Sequence, residues 1–284
     1  MKNIKVSFSG HEKFDCKIDW ITKGLIAFAK NQQIFNQTHL EESIETLGLG
    51  TNMIKSLNHW MHVLGLIDKN ELTTLAQIIL DKDPYLENSD TLWLLHWNIV
   101  KNQDRATLYN LFFNAIYPHK FTREDIFDQI VSWLNINGHK LSPTTIKSDI
   151  DVFIRMYKSN DNKNMSLNLF SELKLITEQS HGIYALNINA ATDISEQAFL
   201  YILIDYIDFL GDSSAESISM DDLQRGKLSI QKSLCISENE LYNKAHKLEQ
   251  LTDGRLSYSE ASGIRQIYIH SSLNKNDLLH TMYQ

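Results

Sequence analysis

The sequence has few of the residues that build disulfide-rich, fibrous or membrane-spanning proteins. Its 284 residues include 2 cysteines, 3 prolines and 11 glycines. Two thiols so far apart, Cys16 and Cys235, cannot form a disulfide framework or a four-cysteine zinc site, and this usage is typical of a reducing cytosol. The longest apolar runs, at 92–97 and 198–204, are shorter than the roughly 20 residues that span a bilayer. We therefore expect a cytoplasmic protein without membrane contact.

An excess of positive charge is also absent. The formal net charge is −8; residues 1–80 are neutral, residues 81–190 carry −2 and residues 191–284 carry −6. Charge alone therefore does not favour tight non-specific binding of nucleic acid. If the protein binds phosphate groups, the surface is expected in the first two thirds of the chain, away from the acidic last third.

Several catalytic signatures are missing. The sequence has no glycine-rich loop ending in Gly-Lys-Ser/Thr, no dinucleotide fingerprint and no Gly-x-Ser-x-Gly elbow. Nucleotide hydrolysis, oxidoreduction and serine-hydrolase chemistry therefore have no support. With 43% hydrophobic and 22% charged residues, the chain has the composition of a folded globular protein.

Apolar residues recur mostly every three or four positions, which predicts a mainly α-helical fold with small β-ribbons. Strand-like alternation is short and occurs at 5–8, 183–188 and 264–269. Three times, a shorter helix, a turn and a longer helix precede a β-like stretch. We predict these copies at 39–75, 123–186 and from about 237 to 269, and they indicate tandem winged helix-turn-helix-like units in domains 1–100, 101–190 and 191–284. The polar connections 159–164 and 211–217 are predicted to be exposed loops.

Two of the longer helices carry candidate DNA-binding residues. On the first of these helices, six residues lie outside the apolar stripe and have side chains that can form hydrogen bonds with phosphates or base edges. They are Thr51, Asn52, Lys55, Asn58, His59 and His62. The second, which Ser142 caps, which has Pro143 in its first turn and which runs to about Tyr157, offers Lys147 and Arg155. The alternative is an ordinary solvated face, on which Arg155 forms an i,i+4 ion pair with Asp151 and Asp149 has a structural role.

Ser9-Gly10-His11-Glu12 is the most unusual string, placed between a strand-like segment and an expected helix. His11 could move a proton, Glu12 could accept one or hold a cation, and Lys17 could face a phosphate, so these three are the candidate catalytic residues. The alternative is a helix cap made by Ser9 and Glu12.

Metal binding has little support from the residues themselves. His59 and His62 lie one turn apart, but no supporting third ligand stands at a suitable spacing. A divalent ion therefore enters only as a hypothetical cofactor for phosphodiester cleavage. His96, in a strongly apolar run, is expected to be buried and hydrogen-bonded.

Several strings, in order over nearly the whole chain, resemble a bacterial family first catalogued as a domain of unknown function, which includes SspB of Ssp-type DNA phosphorothioation systems. The strings are Phe8-Ser9-Gly10-His11-Glu12, Leu47-Gly48-Leu49-Gly50-Thr51-Asn52, Asp83-Pro84-Tyr85-Leu86-Glu87, Thr91-Leu92-Trp93-Leu94-Leu95-His96-Trp97, Asp149-Ile150-Asp151-Val152-Phe153 and Ser262-Gly263-Ile264-Arg265-Gln266. Lys17 stands where the family pattern leads us to expect arginine, and the segment after Asn164 also departs from it.

The resemblance implies a component of a DNA-modification and anti-phage defence system that nicks DNA to allow sulfur incorporation. It also implies as partners DNA, a cysteine desulfurase and an ATP-using sulfur-transfer enzyme; a homodimer is a further expectation. Two other hypotheses stay open. One is a non-catalytic winged-helix adaptor or regulator that binds DNA and recruits the modification enzymes. The other is a protein scaffold whose acidic last third binds a basic partner.

Overall fold

The structure, a computed structural model, describes residues 5–159, 167–211 and 216–284. The chain divides into two compact units, Met1–Asn187 and Ile188–Gln284. The predicted boundary near residue 190 lies close to this division, and the one near residue 100 falls inside the first unit. The division into three domains stays a prediction.

The first unit consists of eight helices and five short strands in its described part. The helices are α1 (Ile18–Lys30), α2 (Leu40–Leu47), α3 (Thr51–Val63), α4 (Thr74–Lys82), α5 (Ser89–Lys101), α6 (Thr107–Leu111), α7 (Arg123–Ile136) and α8 (Pro143–Tyr157). The strands are β1 (Ile67–Asp68), β2 (Glu71–Leu72), β3 (Lys120–Phe121), β4 (Ile176–Ser180) and β5 (Ile183–Leu186). Short 3-10 segments at Gln37–His39 and Ser171–Leu173, and a π-helical segment at Phe112–Ile116, complete it.

The second unit, in its described residues, has five helices and three strands. The helices are α9 (Glu196–Leu210), α10 (Met220–Arg225), α11 (Ile230–Leu234), α12 (Glu238–Leu251) and α13 (Lys275–Met282). The strands are β6 (Ser217–Ser219), β7 (Leu256–Ala261) and β8 (Ile264–Ile269).

All strand pairing within the three sheets is antiparallel. Strands β1 and β2 form a two-stranded ribbon, and the other sheets have the orders β3-β5-β4 and β6-β8-β7. Three times a helix pair is followed by two antiparallel strands: α2 and α3 by β1 and β2, α7 and α8 by β4 and β5, and α11 and α12 by β7 and β8. The third strand of each larger sheet, β3 or β6, comes before its helix pair. The prediction of a mainly helical fold with small β-ribbons is confirmed.

Local sequence explains where the longer helices begin and end. Thr122 caps α7 in a reciprocal capping box with Asp125. Ser142 caps α8, and Pro143 occupies its first turn, where a missing N–H costs nothing. Helix α2 ends at Gly48, whose φ of 66° lies in the left-handed region that glycine adopts without strain.

Helix α5 runs through the aromatic core of the first unit. Trp93 and Trp97 are buried, as are Phe113 and Tyr157 of neighbouring segments. His96 is fully buried, with its Nδ1 atom 2.8 Å from the Tyr157 hydroxyl. The expectation of a buried, hydrogen-bonded histidine is therefore confirmed.

Two local predictions near the N-terminus are wrong. Residues 5–8 do not form a strand, because the Ser7 N–H donates to the Thr107 side chain instead of to a neighbouring strand. No helix directly follows the string Ser9-Gly10-His11-Glu12, since α1 starts at Ile18 and residues 9–13 form turns. The string Ser9-Gly10-His11-Glu12 is therefore neither a helix cap nor part of a helix N-terminus.

Of the predicted loops, residues 160–164 and 212–215 lie outside the described part of the chain. Cys16 and Cys235 are buried thiols that are not joined in a disulfide. No helix within the described ranges combines the length and hydropathy that a membrane span needs.

Candidate functional site

A tight turn at residues 9–13 forms the centre of the candidate site. Three of its residues that are not glycine have positive φ angles: Ser9 (60°), Glu12 (49°) and Lys13 (70°). This left-handed conformation costs roughly 1–2 kcal/mol for a residue with a side chain. Such strain persists only where surrounding contacts hold the backbone, and it concentrates at functional sites.

Helix α8 holds the turn from one side. The Ser9 N–H donates to Asp149 Oδ1 at 2.8 Å, and the Arg155 guanidinium donates to the Lys13 carbonyl at 3.0 Å. His11 Nδ1 accepts from the Lys13 N–H at 3.1 Å, so the neutral ring carries its proton on Nε2. That Nε2 atom lies 3.1 Å from Asp149 Oδ1, but without the alignment of a full hydrogen bond.

Helix α3 holds the turn from the other side. The His11 ring stacks on Trp60, with ring centroids 5.8 Å apart, and Trp60 Nε1 donates to the Phe14 carbonyl at 3.2 Å. His59 lies against Gly10: a Cβ atom at Gly10 would be 2.4 Å from His59 Cε1. Glycine is therefore required here by the close approach of the His59 ring.

His59 is neutral at neutral pH. Burial, together with the charges of His11, Arg105 and His62, lowers its pKa from 6.5 to about 4. A neutral imidazole can still donate or accept a hydrogen bond, which suits a phosphate oxygen or a bound water.

A small cavity of about 10 Å³ opens between the turn, His59, Arg105 and Asp149. That volume holds about one water molecule. The backbone N–H groups of Gly10 and His11, which border the cavity, have no acceptor in the described parts of the chain. With the exposed Arg105, they give this edge of the site hydrogen-bond donors suited to an anion.

Asp15 joins the turn to α1 and α8. Its carboxylate lies 2.8 Å from Lys17 Nζ and accepts from Arg155 Nε at 2.9 Å. Burial raises the pKa of Asp15, but the hydrogen bonds from Lys17 and Arg155 outweigh burial, so the pKa falls below its usual value. Asp15 is therefore ionised and shared by two cations.

The three predicted catalytic residues have different environments. His11 is only 3% exposed and faces Asp149, whereas Glu12 is exposed. The Lys17 ammonium contacts Asp15 and donates to Asn168. His11 and Lys17 therefore already have polar partners in the fold.

The predicted DNA-binding residues of α3 belong to the helix that contacts the turn through His59 and Trp60. Asn52 and Lys55 are exposed, and Thr51, Asn58 and His59 are half-buried. Lys55 stands one turn before His59 on the same side of the helix. His62 is held by the Ile67 carbonyl, 3.1 Å from its Nδ1 atom.

The polar side of α8 is only partly free. Lys147 is exposed, with its ammonium 5.3 Å from the centre of the Phe127 ring. The predicted Asp151–Arg155 pair is wrong: Asp151 pairs with Arg123 at 2.7 Å, and Arg155 pairs with Asp15. Residues 9–15 thus cover Asp149 and engage Arg155, a packing partner that helical spacing alone does not reveal.

We call the cations of the turn and of the segments that hold it, Lys13, Lys17, Lys55, Arg105 and Arg155, the turn face. Lys13, Lys55 and Arg105 have no ion-pair partner within the described ranges, while Lys17 and Arg155 share Asp15. Of the carboxylates beside them, Asp15 and Asp149 are largely buried in contacts with the turn, and Glu12 and Asp104 are exposed. Five cations thus stand with four carboxylates, and three of the cations have no ion pair in the described part of the chain, although the whole chain has a net charge of −8.

Sequence reasoning missed Asp149 as a functional candidate, along with Lys13, Asp15 and Arg105. Ser9 and Asp149 are separated by 140 positions, so no local spacing indicates their contact. The one local signal for Lys13 was its position directly after the unusual string that ends at Glu12.

The described residues contain no cluster of three or more His, Cys, Asp or Glu side chains suited to a metal ion. The divalent cofactor stays a prediction.

Comparisons with known proteins agree on one relationship. A family model described as "Protein of unknown function (DUF4007)" matches residues 8–283. Two crystal structures, described as SspB and as magnesium ion-bound SspB, each have a TM-score of 0.82 and 22% sequence identity, covering 97% of this chain and 86% of the other. At this identity the likeness establishes a shared fold. A search of curated proteins gives no significant match.

Proposed function

The chain belongs to the DUF4007 family, and from this membership together with the turn face we propose that it is a DNA-binding protein of a phosphorothioate DNA-modification and anti-phage defence system. The fold shared with SspB supports the choice of system. The cationic turn face carries the proposal of DNA binding, because a phosphate-binding surface needs uncompensated Lys and Arg side chains.

The helix pair α2–α3 with the β1–β2 ribbon is our proposed winged helix-turn-helix unit at this surface. In it, Thr51, Asn52, Lys55 and Asn58 of α3 face the duplex, while Lys13 and Arg105 contact phosphates beside it. Asp149 and Arg155 of α8 support the turn, and the exposed Lys147 is a further contact from α8 to DNA. His59 completes the surface as a neutral hydrogen-bonding group.

Nicking of one DNA strand is a second candidate function at the same surface. The observation that favours it is the exposed carboxylate of Glu12, which stands beside the rigidly held His11 and next to cations that would bind a phosphodiester. Because His11 is buried, with its Nδ1 atom accepting from the Lys13 N–H and its Nε2 atom facing Asp149, its role in this proposal is to position the turn. The described residues do not form a cage for a divalent ion, so no step of the proposal depends on one.

A DNA-binding titration tests the first function. We expect the double variant Lys55→Ala/Arg105→Ala to lower affinity for a labelled duplex at least about tenfold, equivalent to about 1.4 kcal/mol. The matched control, Lys227→Ala/Arg225→Ala, removes exposed cations from the second unit and should leave affinity nearly unchanged. Equal loss in both double variants, or no binding by the unaltered protein at low salt, would contradict the turn face as the DNA site.

A supercoiled-plasmid assay on the same proteins separates nicking from docking. Conversion to open circle that Glu12→Ala abolishes, with DNA affinity retained, supports nicking at this site. Binding without conversion supports the alternative, an adaptor that recruits the modification enzymes. In either case the proposed protein partners are a cysteine desulfurase and an ATP-using sulfur-transfer enzyme.

A further inference from the structure

A second and much larger cavity lies between the first half of α1 and the loop at residues 83–88. Its volume is about 760 Å³, and Ile18, Thr22, Leu86 and Leu167 form much of its wall. This size lies within the range of sites that take a drug-sized ligand or a few side chains of a peptide. None of the predicted catalytic or DNA-binding residues lines this cavity.

The wall of the cavity is firmly held. Asp83 accepts from the Glu87 N–H at 2.8 Å and from the Thr91 hydroxyl at 2.6 Å. Thr22 donates to the Pro84 carbonyl at 2.6 Å, which ties the loop to α1, and the Ile18 N–H donates to the Leu167 carbonyl at 3.2 Å. The cavity is therefore bounded by hydrogen-bonded segments.

The loop presents one large aromatic side chain to solvent. Tyr85 is 65% exposed, although the next residue, Leu86, is 1% exposed and has a left-handed φ of 56°. An exposed tyrosine on a rigid support is typical of protein–protein interfaces, because it offers a large contact area and loses little conformational entropy on binding.

The rim of this cavity is acidic. Asp19, Glu87 and Glu172 line it with a single cation, Lys23, whose ammonium is 4.0 Å from Asp19. This charge repels DNA and favours a cationic ligand. Tyr85 adds an aromatic face on which a guanidinium can lie.

We propose that this cavity docks a segment of a partner protein in which a large apolar residue is adjacent to arginine. The apolar side chain enters between Ile18, Leu86 and Leu167. The guanidinium lies on the Tyr85 ring and reaches Glu87 or Glu172. This surface is independent of DNA binding at the turn face.

A peptide-binding experiment with the full-length protein tests the proposal. The probes are fluorescent 12-residue peptides with a central Leu-Phe pair flanked by two arginines, two serines or two glutamates. A photo-crosslinking group in the arginine peptide locates the contact by mass spectrometry. We expect the arginine peptide to bind at least about tenfold more tightly than the glutamate peptide, with crosslinks within 18–23 and 83–87.

Substitutions at the rim should change this preference. Tyr85→Ala should weaken the arginine peptide about fivefold or more, and Glu87→Lys/Glu172→Lys should abolish the preference for arginine. The double variant Glu87→Gln/Glu172→Gln, which removes the two negative charges without reversing them, should also reduce the preference for the arginine peptide. Tyr268→Ala, an exposed tyrosine of the second unit, is the matched control and should have no effect.

Four outcomes would overturn the proposal: crosslinks at other segments, equal affinity for the three peptides, indifference to the rim variants, or self-association that Tyr85→Ala abolishes. The last would identify a second copy of this chain as the occupant. DNA affinity, measured on the same variants, should stay unchanged, so a failure here is distinguishable from failure of the proposed DNA-binding function.

Discussion

Gly10 is the residue whose change should disturb the candidate site most directly. A methyl group at this position would collide with the His59 ring, which lies against the turn. We expect Gly10→Ala to lower the free energy of unfolding by about 1–3 kcal/mol, the usual cost of an overpacked contact. Urea unfolding measures the change.

The second partner in this contact provides the control. In a His59→Ala background the space occupied by the ring is free, so adding Gly10→Ala should cost less than in the unaltered protein. A double-mutant cycle isolates this coupling. Additive effects of the two substitutions would show that the ring does not determine the residue at position 10.

His59 also makes stability depend on pH. Its pKa is about 4 in the folded protein and 6.5 when unperturbed, so between these values the unfolded chain binds more protons than the folded one. Stability conferred by the neutral ring is fully present above pH 6.5 and decreases as the pH falls toward 4. The predicted loss from this residue is on the order of 2–3 kcal/mol.

Unfolding free energies measured from pH 7 to pH 4 test this prediction. His59→Gln should flatten the pH dependence, whereas His280→Gln, at an exposed histidine of the second unit, should preserve it. Parallel curves for the His59 variant and the unaltered protein would refute the assignment.

At the residue scale, sequence reasoning succeeded where the cause was local. The apolar run around His96 predicted its burial, and the structure agrees. The unusual string at residues 9–12 was identified, but its conformation was not, because Asp149 and Trp60, which hold it, are distant in sequence. Lys13 was overlooked because its place in the turn depends on a contact with Arg155, which is also distant in sequence.

Helix α8 is the element on which the turn depends most. It supplies both Asp149 and Arg155, which contact residues 9–15. Its first turn is fixed by Ser142, whose side chain accepts from the Thr145 N–H. A change at this cap is therefore expected to affect the candidate site through the stability of the helix.

We expect Ser142→Ala to destabilise the protein by about 0.5–2 kcal/mol, because one N–H of the first turn loses its acceptor. Thr144→Ala, an exposed position in the same turn, is the matched control and should change stability by less than about 0.5 kcal/mol. Thermal unfolding of the two variants measures both changes in stability. An equal loss of stability in Thr144→Ala and Ser142→Ala would refute the prediction.

Elements with strong periodic and capping signals were predicted well. Helix α8 begins after Ser142 and ends at Tyr157 as expected, and β8 spans the predicted 264–269. The strand at 5–8 was wrong because alternation over four residues cannot indicate whether a pairing strand is present. The Asp151–Arg155 pair failed because Arg123 and Asp15, from other segments, compete for these side chains.

For the whole molecule, the distribution of charge separates two kinds of surface. The last third carries a net charge of −6, and the turn face concentrates cations in the first unit. Composition places any phosphate-binding surface in the first two thirds of the chain, and the turn face, which we propose as that surface, lies there. It could not identify Arg105, which reaches the site only through tertiary packing against the turn.

The most direct test of the account is the salt dependence of duplex binding, measured from 50 to 300 mM salt. Each phosphate neutralised by a cation contributes about −0.9 to the slope of log K against log salt concentration. We expect Lys55→Ala/Arg105→Ala to make this slope shallower by about 1.8, whereas Lys227→Ala/Arg225→Ala should leave it unchanged. An unchanged slope in the turn-face variant would contradict the claim that DNA phosphates bind there.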